Sequence, residues 1–244
     1  MKLRVKFKKY GPIRYIGHLD VMRFFQKCIR RAQIDVAYTA GFSPHQIMTF
    51  AAPLGVGLES DGEYMDIEVH SFTSCEEVKN SLNAASVPGI EITSVKILPK
   101  SAGNAMASVA AASYLVKFRE GREPKCRIAE ILPEFLAKEQ ILITKETKKG
   151  SREVDLKAGI YELSWDGDAF HMMVDASSAG NIKPGQVIEA LLAEQGETLQ
   201  ENALLITRED VFTDIGTEEV RKPVPLSEVG VDTPEELAAE EETD

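Results

Sequence analysis

Residues Ile16–Ser60 read IGHLDVMRFFQKCIRRAQIDVAYTAGFSPHQIMTFAAPLGVGLES. The stretch divides into a basic helix, a short strand and a long loop. Over Leu19–Gln33, Met22, Phe25, Cys28, Ile29 and Ala32 fall on one side of a helix. Arg23, Lys27 and Arg30 form a second stripe, with Arg31 beside it. One face can seat on a sheet while the other presents cations. A short strand is expected near Ile34–Tyr38. The following loop, Thr39–Gly62, holds Gly41, Phe42, Ser43, Pro44 and His45, then Pro53 and Gly57. Glycine and proline set an unusual backbone path, and His45 adds an imidazole. Loops this long in compact domains are usually functional.

Outward from this stretch, Lys2–Lys8 alternates Leu3, Val5 and Phe7 with Lys2, Arg4, Lys6 and Lys8. That is a half-buried strand with a basic outer face. Gly11-Pro12 breaks it. Glu63–Val69 reads as a strand. Ser74 reads as the N-cap of a helix ending near Ser86, and the β-branched run Ile90–Leu98 as a strand. The order is β-α-β-β-α-β, the ferredoxin-like arrangement.

Pro99–Asn104 reads as a linker. Beyond it come a strand over Ser113–Arg119, a helix over Lys125–Ala137 and a strand over Gln140–Glu146. A Lys148-Lys149-Gly150 turn and a strand over Glu153–Lys157 follow. Ile160–Trp165 and Ala169–Val174 form a hairpin about Asp166-Gly167. A helix over Pro184–Ala193 opens on proline, and Ala203–Arg208 is a last strand. The expected class is therefore α+β: two tandem ferredoxin-like domains with antiparallel sheets, residues 1–99 and 105–212. The second domain carries extra β-strands. Residues 213–244 are expected to be an acidic, flexible tail with a short helix after Thr233.

The 244 residues carry a net charge of −11, and the pI is near 5.0. Yet residues 1–35 hold ten Lys and Arg against Asp20 and Asp35, while residues 226–244 hold eight acids and no base. This excludes a binder of nucleic acid over its whole surface and allows a local basic patch. No apolar run is long enough for a membrane span, and the alternating start lacks a signal core. Cys28, Cys75 and Cys126 are few and scattered. They fit reduced thiols in the cytoplasm, where the chain is expected, and exclude a cysteine-ligated cluster in this chain alone.

Among chemistry-bearing residues, His18 at the helix start and His45 in the loop are the candidates for acid–base work. No histidine pair has the i,i+4 spacing of a helical metal site, and no metal is expected. His70 and His171 read as structural or exposed. The acids Glu59, Glu63 and Asp66 read as solvent-facing. Arg4, Lys6, Arg23, Lys27, Arg30 and Arg31 are the candidate phosphate contacts. Gly41, Phe42, Pro44, His45, Pro53 and Gly57 shape the loop. Tyr10, Tyr15, Phe42 and Phe50 are candidate stacking groups.

Gly17-His18-Leu19-Asp20, Arg31-Ala32, Tyr38, Gly41-Phe42-Ser43-Pro44-His45, Ala52-Pro53-Leu54-Gly55-x-Gly57 and Ser60-x-x-Glu63-Tyr64-x-Asp66 together resemble the bacterial radical-SAM-linked protein family, a domain of unknown function. The resemblance implies a companion to a separately encoded radical SAM protein. S-adenosylmethionine, the iron–sulfur cluster and cobalamin would then reside on that partner, and none in this chain. The Gly41-Phe42-x-Pro44-His45 segment behind a basic helix is also similar to CRISPR repeat-processing endoribonucleases. The resulting expectation is a non-catalytic accessory that binds structured RNA, ribosomal or transfer, for modification. The alternatives are a metal-independent endoribonuclease using His18 or His45, and a protein-interaction module that docks the radical SAM partner.

Overall fold

The computed structural model describes residues 1–147, 150–217 and 220–241. Lys148 and Lys149 of the expected turn lie outside the described residues, as do positions 218, 219 and 242–244 of the expected tail. The chain is α+β with mostly antiparallel strand pairing and divides into two compact units. One comprises Met1–Ala110 and the residues from Asp210 onward; the other is Ala111–Glu209.

The first unit starts with β1 (Lys2–Lys9), a 3-10 turn (Gly11–Tyr15) and α1 (His18–Arg31). Next come β2 (Asp35–Val36), β3 (Met48–Phe50), β4 (Glu59–Ser71), α2 (Cys75–Ala84) and β5 (Ile90–Leu98). β1 lies between β4 and β5, antiparallel to both, and β2 and β3 pair with β4. The expected strand near Ile34–Tyr38 thus shrinks to two residues. The expected loop over 39–62 contains one complete strand, and β4 begins four residues early.

The core forms where Leu3, Val5 and Phe7 of β1 meet Phe25, Cys28 and Ile29 of α1. The Phe7 and Phe25 ring centroids are 4.6 Å apart, and Phe50 of β3 closes the group at 6.0 Å from Phe25. Burying each such side chain is worth about 1.5–3 kcal/mol. Helix α1 carries Asp20 in its first turn and Arg30 and Arg31 in its last, charges that oppose its dipole favourably. Gln33, at φ 55°, turns the chain out of the helix.

The second unit contains β6 (Ala111–Phe118), α3 (Ile128–Ala137), β7 (Leu142–Thr147), β8 (Gly150–Asp155), β9 (Ile160–Trp165), β10 (Ala169–Asp175) and α4 (Pro184–Ala193). β10 pairs antiparallel with β6 and β9, and β7 and β8 make a separate ribbon. Asp166 braces the β9–β10 turn. It accepts from the Asp168 and Ala169 amides and from His171 Nε2. The His171 bond and these amides hold its carboxyl well below the usual carboxylate range.

The strand expected to be the last, β11 (Leu204–Asp214), is six residues longer at its C-terminal end than the sequence reading. The residues expected as a flexible tail differ most. Thr213 and Asp214 finish β11, and β12 (Pro223–Pro225) pairs with it, while α5 (Pro234–Glu241) stands where a short helix is expected after Thr233. Leu226 is fully buried, and Val231 exchanges backbone hydrogen bonds with Ile97. Apolar residues spaced among the acids return this segment to the first unit.

Candidate functional site

Helix α1 and the loop after it bring the first group of sequence candidates together. Arg23, Lys27 and Arg30 are all exposed on α1. Arg23 reaches Asp20 at 3.2 Å, but both are more than half exposed, so the attraction is weak. Lys27 has no ion-pair partner among the described residues. Arg30 Nε donates to the Gln26 carbonyl at 3.3 Å. Arg31 turns aside, where its Nη2 donates to the Ala85 carbonyl at 2.8 Å.

The loop is closed by its own hydrogen bonds. Thr39 N donates to His45 O at 2.9 Å, and His45 N donates to Thr39 Oγ1 at 3.1 Å. The His45 ring is exposed and places Nδ1 against Thr39 Oγ1 at 3.1 Å and the Ser43 carbonyl at 3.4 Å. Gly41, at φ 113°, sits at the tip, where a Cβ would strain the backbone. Phe42 beside it is fully exposed. Tyr38 and Gln46 form an isolated bridge at the loop's base. Gln26, Arg30, Tyr38, Pro44, His45 and Gln46 line a groove of about 180 Å³ between loop and helix.

A second loop, carrying Pro53 and Gly57, joins a different neighbour. Gly57, at φ 90°, donates its amide to Arg14 O at 2.7 Å. Pro53 is exposed and Leu54 is buried. His18 opens α1 with its ring edge-on to Phe50, centroids 5.1 Å apart. The two candidate imidazoles therefore have separate neighbours and do not form a pair. Of the candidate stacking groups, Phe50 belongs to the core, Tyr15 and Phe42 are exposed, and Tyr10 is half-buried.

The strand cations depart from expectation. Arg4 is buried, with Nε and Nη2 donating to the two oxygens of Asp66 at 2.8 and 3.0 Å. It cannot reach a phosphate. Alternation places Lys6 and Lys8 on the sheet face opposite to the Phe7 side that α1 covers. There Lys6 pairs with Asp210 at 2.7 Å and Lys8 with Asp61 at 3.2 Å. The face that reads as basic is therefore neutralised by acids distant in sequence. The acids near β4 are also less exposed than expected. Asp66 and Glu63 are buried, and Glu59 holds Arg14 at 3.0 Å. No group of acids, histidines and cysteines among the described residues could hold a metal ion. No described helix is long and apolar enough to cross a membrane.

Residues 2–184 match a family described as an uncharacterized protein conserved in bacteria, DUF2344. The chain belongs to this family. The DUF2344 match takes in the whole α1–loop site and most of the second unit. No curated protein matches the chain.

Sequence reasoning gave no site role to three groove residues: Gln26, Gln46 and Tyr38, the last of which entered only among the family motifs. A signal existed for each. Gln26 stands one turn before Arg30 on the same helix face. Tyr38 and Gln46 flank the Thr39–His45 closure symmetrically, so a loop pinned at 39 and 45 aligns them.

Proposed function

We propose that this chain binds structured RNA through α1 and the Thr39–Gln46 loop, as a non-catalytic accessory of a separately encoded radical SAM protein. One observation carries the RNA reading. Exposed cations on α1 run into a groove whose other wall is the histidine loop, on a chain that is otherwise acidic. A cationic strip of limited extent suits a selective phosphate contact. Arg23, Lys27 and Arg30 are assigned to phosphates, and Phe42 and His45 to the substrate-facing loop. Asp20 and His18 brace the helix start.

The strand order β5–β1–β4, with β2 and β3 beyond β4, supports reading the first unit as ferredoxin-like. Reading the second unit as a duplicate with added strands rests on element order. The radical SAM association is supported by the combined motifs of Gly17–Asp66. On this reading S-adenosylmethionine, the cluster and cobalamin belong to the partner, and the pair works in the cytoplasm.

The test is a gel shift of the purified chain with ribosomal or transfer RNA at low salt, paired with a pull-down of the radical SAM protein from nuclease-treated lysate. Binding in both supports the proposal. Capture of the partner without any RNA affinity replaces it with a protein-docking role. Cleavage to 2′,3′-cyclic phosphate ends in the presence of chelator replaces it with an endoribonuclease.

A further inference from the structure

The groove beside α1 holds a feature that phosphate contact leaves unused. Gln46 is only 6% exposed and is the buried member of the six lining residues, so it forms the floor. Its Nε2 donates to the Gln26 carbonyl at 3.3 Å. That bond decides the orientation of the amide, because the reversed group would set two acceptor oxygens against each other. Oε1 is therefore the end left over. It is buried and has no hydrogen-bond partner among the described residues. A buried acceptor in that state is destabilising until a donor reaches it.

The same Gln26 carbonyl also accepts from Arg30 Nε. One backbone oxygen thus holds an acceptor and a guanidinium at the same groove, and the terminal nitrogens of Arg30 have no hydrogen-bond partner among the described residues. Tyr38 adds an aromatic ring that is 49% exposed. The volume of about 180 Å³ is below the roughly 300–1,000 Å³ of pockets that enclose drug-sized ligands. It admits one planar heterocycle.

We propose that this groove receives a single unpaired nucleobase bearing an exocyclic amine. The amine donates to Gln46 Oε1, Arg30 donates to the adjacent ring acceptor or the flanking phosphate, and Tyr38 stacks on the base face. A phosphate alone offers only acceptors and cannot satisfy Gln46. A paired base has its amine engaged in the duplex. Because Oε1 is covered, entry includes a small rearrangement of the groove lining. The inference rests on the RNA-binding function above and narrows it to a looped-out or single-stranded position within the RNA.

The test uses the full chain and fluorescence anisotropy with three probes. These are an eight-nucleotide oligoadenylate, the same oligomer built from purine riboside (which lacks only the 6-amino group), and the adenylate paired to its complement. The wild type is expected to bind the adenylate about five- to tenfold tighter than the purine riboside oligomer, the worth of one hydrogen bond. It should bind the duplex more weakly than either. Gln46→Leu should bind both single strands alike, and Tyr38→Ala should weaken both by about tenfold. Tyr38 is exposed, so its variant reports even if Gln46→Leu fails to fold. Equal affinity of the wild type for the two single strands overturns the inference and leaves RNA binding intact. So does unchanged affinity in Tyr38→Ala. Absence of binding to any RNA overturns both.

Discussion

Replacing Arg4 by alanine should unfold the first unit far more readily than replacing any cation on α1. Arg4 of β1 stands directly opposite Asp66 of β4 in the strand register. The guanidinium is 1% exposed and the carboxylate 5%. Two parallel N–H···O bonds join them, and Arg4 Nη1 also approaches the Leu226 carbonyl at 3.5 Å. Removing one partner of such a buried pair strands the other charge, which costs about 3–5 kcal/mol. A domain of this size loses about 2–4 °C of Tm per kcal/mol, so the first unit's transition should fall by about 6–20 °C. Urea denaturation followed by circular dichroism measures the free energy. The double substitution Arg4→Met with Asp66→Leu removes both charges and should recover most of the loss, since apolar replacements of buried pairs are often neutral or stabilising. A loss below about 1 kcal/mol for Arg4→Ala, the range of exposed ion pairs, would refute the assignment of Arg4 to the interior.

Two further outcomes follow from the same unit. Gly89 has φ 96°, and a Cβ there would lie 2.6 Å from the Tyr10 carbonyl oxygen and 2.8 Å from Ile13 Cγ1. Gly89→Ala should therefore cost about 2 kcal/mol or more, measurably above Gly121→Ala, whose φ of 76° is strained but whose Cβ would meet nothing. Burial, followed by the Asp210 carboxylate that accepts the Tyr64 hydroxyl proton at 2.5 Å, pushes the Tyr64 phenol well above its ordinary value. The folded state thus favours the protonated phenol. Its stabilisation is complete below the unfolded value of about 10 and is lost as pH rises through and beyond it. The urea midpoint of the wild type should fall above about pH 10, with a slope of up to about 1.4 kcal/mol per pH unit from this group. Tyr64→Phe should flatten that fall. Part should remain, because burial and Asp61 shift Tyr10 in the same direction.

Local patterns were sufficient for several elements. β5 and β9 occupy the residues their apolar runs mark, and α4 starts at Pro184 and ends at Ala193. Ser74 caps α2 as its position implies, accepting from the Glu77 amide. What the sequence hides is long-range. Alternation marks Arg4, Lys6 and Lys8 as one polar face, but nothing local says that Asp66, Asp210 and Asp61 will neutralise it. β3 is too short to show a period, and β2 spans only two residues. The acidity of the C-terminal segment masks Leu226, which is buried in a turn that packs against β5, more than a hundred positions earlier. The site was half legible. The periodicity of α1 sets its cations outward and its apolar side on the sheet, and the special residues of 41–45 mark the loop. The meeting of Arg30 with the loop, and the floor made by Gln46, depend on how Thr39 and His45 close that loop.

The central claim is that RNA affinity resides in the cations of α1 and not in those of β1. The decisive measurement is the salt dependence of RNA binding for three proteins: the wild type, Lys27→Ala with Arg30→Ala, and Lys6→Ala with Lys8→Ala. Each single-strand phosphate contact contributes about 0.7 to the slope of log affinity against log salt. The account predicts that the helix variant loses about 1.4 from the slope while the strand variant keeps the wild-type value. A slope reduced by the strand variant and untouched by the helix variant would contradict it.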